Sequence, residues 1–267
     1  MNIILRNFFR LLRSGAFNCQ EQIEPMSEWK WHRLFQISDM HGVKQIICRG
    51  ITCCQEQFFM QPVGKLLTEW DSEAAVDEEE NELLLPDKLT NPMLNKKLQA
   101  ILDEEGSNTE TRQALIMLLG VARFIMNAGI PVKRVAELAI FIRHQSSKID
   151  FIKVNDWTTQ LKLQPMVQLA GVLLIKMMNM EQEELPFMTP VSDTEAERRF
   201  REMLKLKNSH AEKWYFSQGK NIFVHTSNPS AMLWHFRRSA HYFKYYPTET
   251  VTNFFTSFAH SLSHIEE

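Results

Sequence analysis

Cationic and aromatic side chains alternate along residues 231–246, AMLWHFRRSAHYFKYY, near the end of the chain. Aromatic rings that stack on bases, beside cations that neutralise phosphates, suit the binding of single-stranded nucleic acid. The candidate binding residues of this basic-aromatic segment are Trp234, Arg237, Arg238, His241 and Lys244. Helical spacing also gives the segment an apolar stripe, which consists of Leu233, Phe236, Ala240 and Phe243. Because that stripe would face inward and the cations elsewhere, we favour a core helix with a basic outer face over a nucleic-acid site.

Carboxylates are concentrated in residues 71–82, DSEAAVDEEENE, which include seven acidic residues and no basic one. Such a density of like charge opposes the packing of a helix. Carboxylates also bind divalent metals, but this run lacks the spacing and the central glycine of an EF-hand loop. The run therefore predicts a solvated loop rather than a metal site.

Histidine and cysteine, the other common metal ligands and nucleophiles, do not form a recognisable constellation. His260 and His264 are four residues apart, but no glutamate completes an H-E-x-x-H motif and no third ligand is identifiable. The cysteines do not form paired C-x-x-C units, which excludes a standard zinc framework; they are Cys19, Cys48, Cys53 and Cys54. We interpret them as reduced thiols, and the sequence identifies no catalytic residue, metal site or cofactor site.

The overall composition is that of an ordinary globular protein, with 44% apolar and 23% charged residues. Its 30 basic and 32 acidic residues give a net charge of -2, so no global field attracts nucleic acid or an anionic membrane. Near the start of the chain, Arg6, Arg10 and Arg13 interrupt the apolar run that a signal peptide would need. That amphipathic segment is expected to pack into the core rather than lie on a membrane surface. No apolar run reaches about 18 residues, so we predict no membrane span and a cytoplasmic protein.

Helix start and stop signals recur throughout the chain. A first helix is predicted over residues 2–14 with Gly15 at its end, and Thr109 is predicted to cap a long helix in the middle of the chain. Pairs typical of helix starts occur as Asn91 with Pro92 and as Ser192 with Glu195. Strand alternation is nearly absent, and the stretch NIFVHTS is interpreted as extended chain or loop.

These signals predict an all-α protein, a compact multi-helix domain of about ten helices without a central sheet. The whole chain, residues 1–267, is expected to form this single domain. It is divided into an N-terminal helical block, residues 1–70, an acidic loop, residues 71–90, and a C-terminal helical block, residues 91–267.

Two parts of the chain resemble a known family. The first consists of FFRLLRSGAF and EWKWHRLFQISDMHGVKQIICRGI, and the second of ALIMLLGVARFIMNAGIPVKRVAELAIFIRHQ, LQPMVQLAGVLLIKMMNM and LPF. Both look like the helical portions of an uncharacterised bacterial nucleotidyltransferase-like family of the DNA polymerase β type. Active members of that family place a Gly-Ser turn and an Asp-x-Asp pair on a central mixed sheet, where the two carboxylates can hold Mg²⁺. This chain has no Asp-x-Asp, and its Gly106 and Ser107 fall between two predicted helices. The resemblance therefore implies helical remnants without the catalytic core.

Several functions are compatible with this sequence. The favoured one is a non-catalytic, nucleotidyltransferase-like accessory or protein-interaction module. One alternative is an active transferase with a divergent metal site, for which the dense carboxylates are Asp77, Glu78, Glu79 and Glu80. Another is a nucleic-acid or nucleotide binder that uses the basic-aromatic segment.

The resemblance also has a consequence for partners. Helices that packed against a catalytic sheet in a relative would have lost that cover here, so apolar area would need a new neighbour. We expect the two helical blocks to collapse onto each other and to keep a modest surface for a protein partner, with a homodimer as the other arrangement.

Overall fold

The computed structural model describes residues 2–57, 88–127, 129–205, 243, 245–249 and 251–252. Within these residues nine α-helices and one 3₁₀-helix can be followed from end to end, and no strand is present. The all-α prediction is confirmed. The acidic run, the two C-terminal histidines and the five candidate binding residues Trp234, Arg237, Arg238, His241 and Lys244 lie outside the described residues.

The helices are numbered here in chain order. Their bounds are α1 Ile3–Phe17, α2 Glu28–Met40, α3 Lys44–Cys53, α4 Pro92–Leu102, α5 Thr109–Asn127, α6 Val132–Gln145, α7 Phe151–Gln160, α8 Gln164–Met178 and α9 Asp193–Lys205. The 3₁₀-helix, Gln182–Glu184, lies between α8 and α9. None of the described helices is both long enough and apolar enough to cross a membrane.

Helix starts that depend on local capping agree with the sequence. The Asn91 side chain accepts hydrogen bonds from the backbone N–H groups of Met93 and Leu94, both at 3.1 Å, and Pro92 begins α4. At α9 the Glu195 N–H donates to the Ser192 hydroxyl at 3.3 Å. These side chains satisfy backbone donors that the first turn of a helix leaves without partners.

Two predicted helix ends are wrong. Asn108 rather than Thr109 caps α5, because its side-chain oxygen accepts the Thr111 N–H at 2.8 Å while Thr109 is already helical. Helix α1 does not end at Gly15 but continues to Phe17, where Asn18 adopts a left-handed conformation with φ 51°. Gly15 stays helical because it serves a packing contact instead of a turn.

That packing contact joins α1 and α3 through their backbones. A Cβ atom placed on Gly15 would lie 1.7 Å from the Ile46 carbonyl oxygen, and one placed on Gly50 would lie 2.0 Å from the Leu11 carbonyl oxygen. Only glycine permits such an approach, because every other residue would place its Cβ inside a backbone atom of the neighbouring helix. The two glycines therefore determine how closely α1 and α3 cross.

Helix α1 lies at the centre of the described fold. Besides α3 it packs against α2, α6 and α8, so the N-terminal and C-terminal helical blocks are in direct contact. Its apolar side chains are buried, among them Phe8, Phe9, Leu11 and Leu12. This confirms that the amphipathic N-terminal segment packs into the core.

The polar edge of α1 is held by the link to α2. Glu24 accepts hydrogen bonds from Arg6 at 2.7 Å and from Arg10 at 2.9 Å, while Arg13 donates to Glu21 at 2.7 Å. The Asn7 amide donates to the Glu24 carbonyl and accepts the Glu24 N–H, at 2.7 and 3.0 Å. Residues 18–27 are thus attached along the length of α1.

The C-terminal block forms a second set of packed helices. Helix α5 contacts α6, α7 and α8, and α8 also contacts α9. At its far end α6 carries Arg143, whose guanidinium lies 3.9 Å from the ring centroid of Phe17 and pairs with Glu184 at 2.7 Å. This cation–π contact joins the end of α1 to the C-terminal block.

We predict that replacement of either crossing glycine destabilises the protein strongly. Gly15→Ala and Gly50→Ala would each force α1 and α3 apart, which should lower the free energy of unfolding by about 3 kcal/mol. The control is Gly171→Ala in α8, where the three atoms nearest to the added Cβ all belong to the flexible side chain of Met188. Urea denaturation is the measurement, and wild-type stability in Gly15→Ala would contradict the proposed crossing.

We also predict that Glu24 contributes to acid sensitivity. Hydrogen bonding from Arg6 lowers the pKa of Glu24 from 4.5 to about 2, so its stabilising effect is present above pH 4.5 and is lost as the pH falls towards 2. In Glu24→Gln the loss of unfolding free energy between pH 4.5 and 2 should therefore be smaller than in the wild type. The matched control is Glu28→Gln, which removes an exposed carboxylate 3.8 Å from His32. Equal pH profiles for Glu24→Gln and the wild type would show that the pairing has no effect.

Candidate interaction groove

The end of the basic-aromatic segment is attached to the helical body by Tyr246. This side chain is fully buried, and its hydroxyl donates to the Leu161 carbonyl at the end of α7, at 2.9 Å. Burial raises the pKa of the Tyr246 hydroxyl, so it remains a neutral donor. Phe243, which was predicted to face inward, is 50% exposed. That prediction is wrong because residues 243 and 245 lie in a turn, where helical spacing no longer decides which side chain is buried.

Glu249 makes a second attachment, at the start of α4. Its carboxylate accepts hydrogen bonds from the backbone N–H groups of Thr90 at 2.6 Å and Asn91 at 2.9 Å, and from the Thr90 hydroxyl at 2.9 Å. Glu249 is only 1% exposed. A carboxylate at the amino end of a helix satisfies free backbone donors and interacts favourably with the helix dipole. Residues 245–249 are therefore held between α7 and α4.

An open groove of 510 Å³ lies where this attached segment meets the start of α8. The residues that line it come from α8, the chain after the 3₁₀-helix, α9 and the attached segment. They are Gln164, Pro165, Gln168, Thr189, Arg199 and Tyr245. We refer to this surface as the α8 groove.

The polar side chains of the α8 groove already have partners within the protein. Gln164 donates to the Asn155 side chain at 3.0 Å, and Arg199 donates to Glu195 at 2.7 Å. When the Gln168 amide is oriented so that its oxygen and nitrogen both find partners, the oxygen accepts the Thr189 N–H at 2.7 Å and the nitrogen donates to the Thr189 carbonyl at 3.2 Å. What the groove offers to a ligand is its shape and the apolar surface of Pro165 and Tyr245.

The basic group on α9 beside the groove is balanced by acidic neighbours. Hydrogen bonds from Arg198 and then Arg199 lower the pKa of Glu195 to about 2. Arg198 also pairs with Glu202 at 2.7 Å, and Arg201 pairs with Glu197 at 2.7 Å. This helix face therefore carries mixed charge.

Two features of the described residues bear on catalysis: the position of the Gly-Ser pair and the grouping of side chains that could bind a metal. Ser107 lies between α4 and α5 and accepts a hydrogen bond from Lys153 at 3.3 Å, so the Gly-Ser pair is in a helix connection as predicted. Among the described residues, no group of three or more His, Cys, Asp or Glu side chains is placed to hold a metal ion.

Comparison of the chain with protein-family models, with curated proteins and with solved structures finds no match. The resemblance to a nucleotidyltransferase-like family therefore stays a prediction. The sequence indicates the start of α8 and the aromatic segment separately, but it does not indicate the groove between them. The signal in the sequence is the Tyr-Tyr-Pro run at residues 245–247. Because the residue before a proline is biased away from the helical conformation, the run indicates that the helical pattern stops there and that Tyr246 can turn inward.

We predict that Glu249→Gln loosens the start of α4 locally. A glutamine offers one acceptor oxygen where the carboxylate offers two, so one buried backbone donor would lose its partner at a cost of about 1–3 kcal/mol. Hydrogen exchange at the Thr90 and Asn91 amides should accelerate by about tenfold or more, while exchange in α6 stays unchanged. Glu183→Gln, at an exposed position of the 3₁₀-helix, is the control. Unaltered exchange at Thr90 and Asn91 would show that Glu249 does not hold this corner.

Proposed function

We propose that this chain is a non-catalytic, nucleotidyltransferase-like accessory module of the bacterial cytoplasm, and that it binds a protein partner in the α8 groove. The observation that supports the proposal is that the polar side chains of the groove have hydrogen-bond partners within the protein. Polar groups that would orient a substrate or activate a nucleophile already bond to other groups of the protein, whereas Pro165 and Tyr245 present apolar surface.

Such a surface favours a polypeptide over a small substrate. Small-molecule sites enclose most of their ligand and direct several unsatisfied polar groups at it. Protein interfaces instead use an aromatic centre, in which tyrosine is enriched, and a polar rim that remains hydrated. The α8 groove, with Tyr245 in its lining and Gln164, Thr189 and Arg199 around it, has the second composition.

The sequence supports the non-catalytic part of the proposal. The chain keeps the segments that resemble the helical portions of the family but has no Asp-x-Asp pair for Mg²⁺ and triphosphate. In the structure these segments form most of α1 to α3, α5, α6 and α8, which pack directly on one another. Direct packing gives the apolar faces of these helices neighbours without a catalytic sheet.

A second candidate, nucleotide or single-stranded nucleic acid binding, is favoured by one observation. A cation and an aromatic ring, Arg199 and Tyr245, line the same groove at the end of the basic-aromatic segment. Because Arg199 is engaged by Glu195 at 2.7 Å, a phosphate would have to displace that carboxylate. Because of this competition, we propose nucleic-acid binding only as the second candidate, after binding of a protein partner.

We predict that a photo-crosslinking residue at Pro165 captures a defined partner polypeptide in cells that express the chain. The same residue at Lys97, an exposed position of α4, should not capture it. With the recombinant partner, Tyr245→Ala should weaken binding about thirtyfold, since loss of a central aromatic residue costs about 2 kcal/mol. Met93→Ala, which removes a 78% exposed apolar side chain at the start of α4, should leave binding within about twofold of wild type.

Three outcomes would contradict the proposal. Equal binding by Tyr245→Ala and the wild type would remove the groove from the interface. Turnover by the purified chain with Mg²⁺ and the four nucleoside triphosphates would show a transferase. If labelled oligothymidylate binds instead, with an affinity that falls steeply with salt and drops in an Arg237→Ala, Arg238→Ala, Lys244→Ala variant, the nucleic-acid function replaces the protein-partner function.

A further inference from the structure

Three of the four cysteines lie together where α1 and α3 end. Cys53 is the last residue of α3, Cys54 follows it, and Cys19 comes two residues after the end of α1. The Cys53 thiol donates to the Asn18 side chain at 3.3 Å, so the ends of the two helices are in contact. The Gly15 and Gly50 crossing brings these ends together, because it packs α1 against α3 without intervening side chains.

Cys54 is the thiol most closely enclosed by the segment that carries Cys19. Its Sγ atom is 3.4 Å from the Ser14 hydroxyl and 3.5 Å from the Glu21 carbonyl oxygen. The same Ser14 hydroxyl donates to the Cys19 carbonyl. Residues on both sides of Cys19 therefore contact the Cys54 side chain, and Cys54 is only 1% exposed.

Cys19 differs from Cys54 in its access to solvent. Its side chain is exposed, and its Sγ atom donates weakly to the Arg13 carbonyl at 3.9 Å. An exposed thiol beside a buried one gives an entry point for an oxidant and a nearby second sulfur that can trap the product. Cys48 is not part of this pair, because it lies about a turn and a half before Cys53 on α3.

We propose that Cys19 and Cys54 form an oxidation-sensitive pair that closes to an intrachain disulfide in response to a hydroperoxide. The Cys19 thiolate attacks the O–O bond, which breaks as an S–O bond forms and hydroxide leaves. The Cys54 sulfur then attacks the Cys19 sulfur, so that an S–S bond forms, the S–O bond breaks and water leaves. Two thiols are oxidised, and one hydrogen peroxide is reduced to two molecules of water.

The charges around Cys19 determine how this reaction depends on pH. Partial burial raises the pKa of the Cys19 thiol above 9.0, and Glu21, Cys54 and Cys53 act in the same direction, whereas Arg13 lowers it. Arg143 also faces Cys19, but it is paired with Glu184. Because thiolate is scarce at neutral pH, the pair should respond slowly there, and its rate should rise about tenfold per pH unit below the pKa.

The consequence of closure is a covalent link across the helix crossing. The new bond would join the chain after α1 to the end of α3 and close a loop that contains all of α2. A cross-link of this kind reduces the freedom of the unfolded chain. The oxidised protein should therefore unfold at a temperature several degrees higher than the reduced one.

The test is oxidation of the full-length chain with hydrogen peroxide between pH 7 and 8.5. We expect the number of free thiols per chain to fall from four to two, while the protein keeps the mass of a monomer. The rate of this thiol loss should rise across the pH range. Trypsin would leave Cys53 and Cys54 on one peptide, so a peptide mass alone does not distinguish them. Free thiols are therefore alkylated with a light reagent before reduction. Thiols that reduction releases are then alkylated with a heavy reagent. Fragment ions should carry the heavy label on Cys19 and Cys54 and the light label on Cys53.

Single variants give an independent readout. Cys53→Ser should still form the link at the wild-type rate, and Cys19→Ser should retain its three thiols. Cys54→Ser should form no intrachain link and should lose only the Cys19 thiol, because oxidation stops at the sulfenic acid when the second sulfur is missing. Heavy label on Cys53 instead of Cys54, or no intrachain link in the folded wild-type chain, would overturn the proposal. Because the label assignment uses wild-type protein, the proposal remains testable even where Cys54→Ser fails to fold.

Discussion

The backbone contact between Gly15 and Gly50 is the constraint on which the rest of the N-terminal block depends. Without Cβ atoms at these positions, the carbonyl groups of Leu11 and Ile46 lie where side chains would otherwise stand. Dispersion forces strengthen as surfaces approach, so a close crossing can bury both helices with few large side chains between them. It also leaves no room for adjustment, since a single methyl group at either glycine would separate the two backbones.

The crossing determines what the charged residues of α1 can do. With one face of α1 occupied by α3 and others by α6 and α8, its arginines are confined to the edge where residues 18–27 pass. Two carboxylates, on Glu21 and Glu24, there accept hydrogen bonds from three arginines. Ion pairs at a surface stabilise little by themselves, but the reciprocal bonds between Asn7 and the Glu24 backbone hold the segment in register. This register keeps Glu21 and Ser14, on either side of Cys19, against the Cys54 thiol.

The sequence predicted those features that depend on a few neighbouring residues. Asn91 with Pro92 and Ser192 with Glu195 were recognisable because a capping side chain bonds to a backbone group two or three residues away. The role of Gly15 is predicted wrongly because it depends on a distant residue. Glycine can either end a helix or allow two helices to pack closely. Only the contact of Gly15 with a helix more than 30 residues later distinguishes the two roles. The α8 groove was out of reach in the same way, since Tyr246 attaches to Leu161, 85 positions earlier.

Helix α8 connects the groove to the α1–α3 crossing. Its first two turns supply Gln164, Pro165 and Gln168 to the groove, and at its other end the Met177 carbonyl accepts a hydrogen bond from Arg13 at 3.3 Å. Most of the side chains between these ends are buried. A helix packed on several faces cannot shift one end without disturbing the core along its length. The α8 side of the groove is therefore held in one shape, so that a partner of the kind we propose would find a preformed surface and little conformational entropy would be lost on binding.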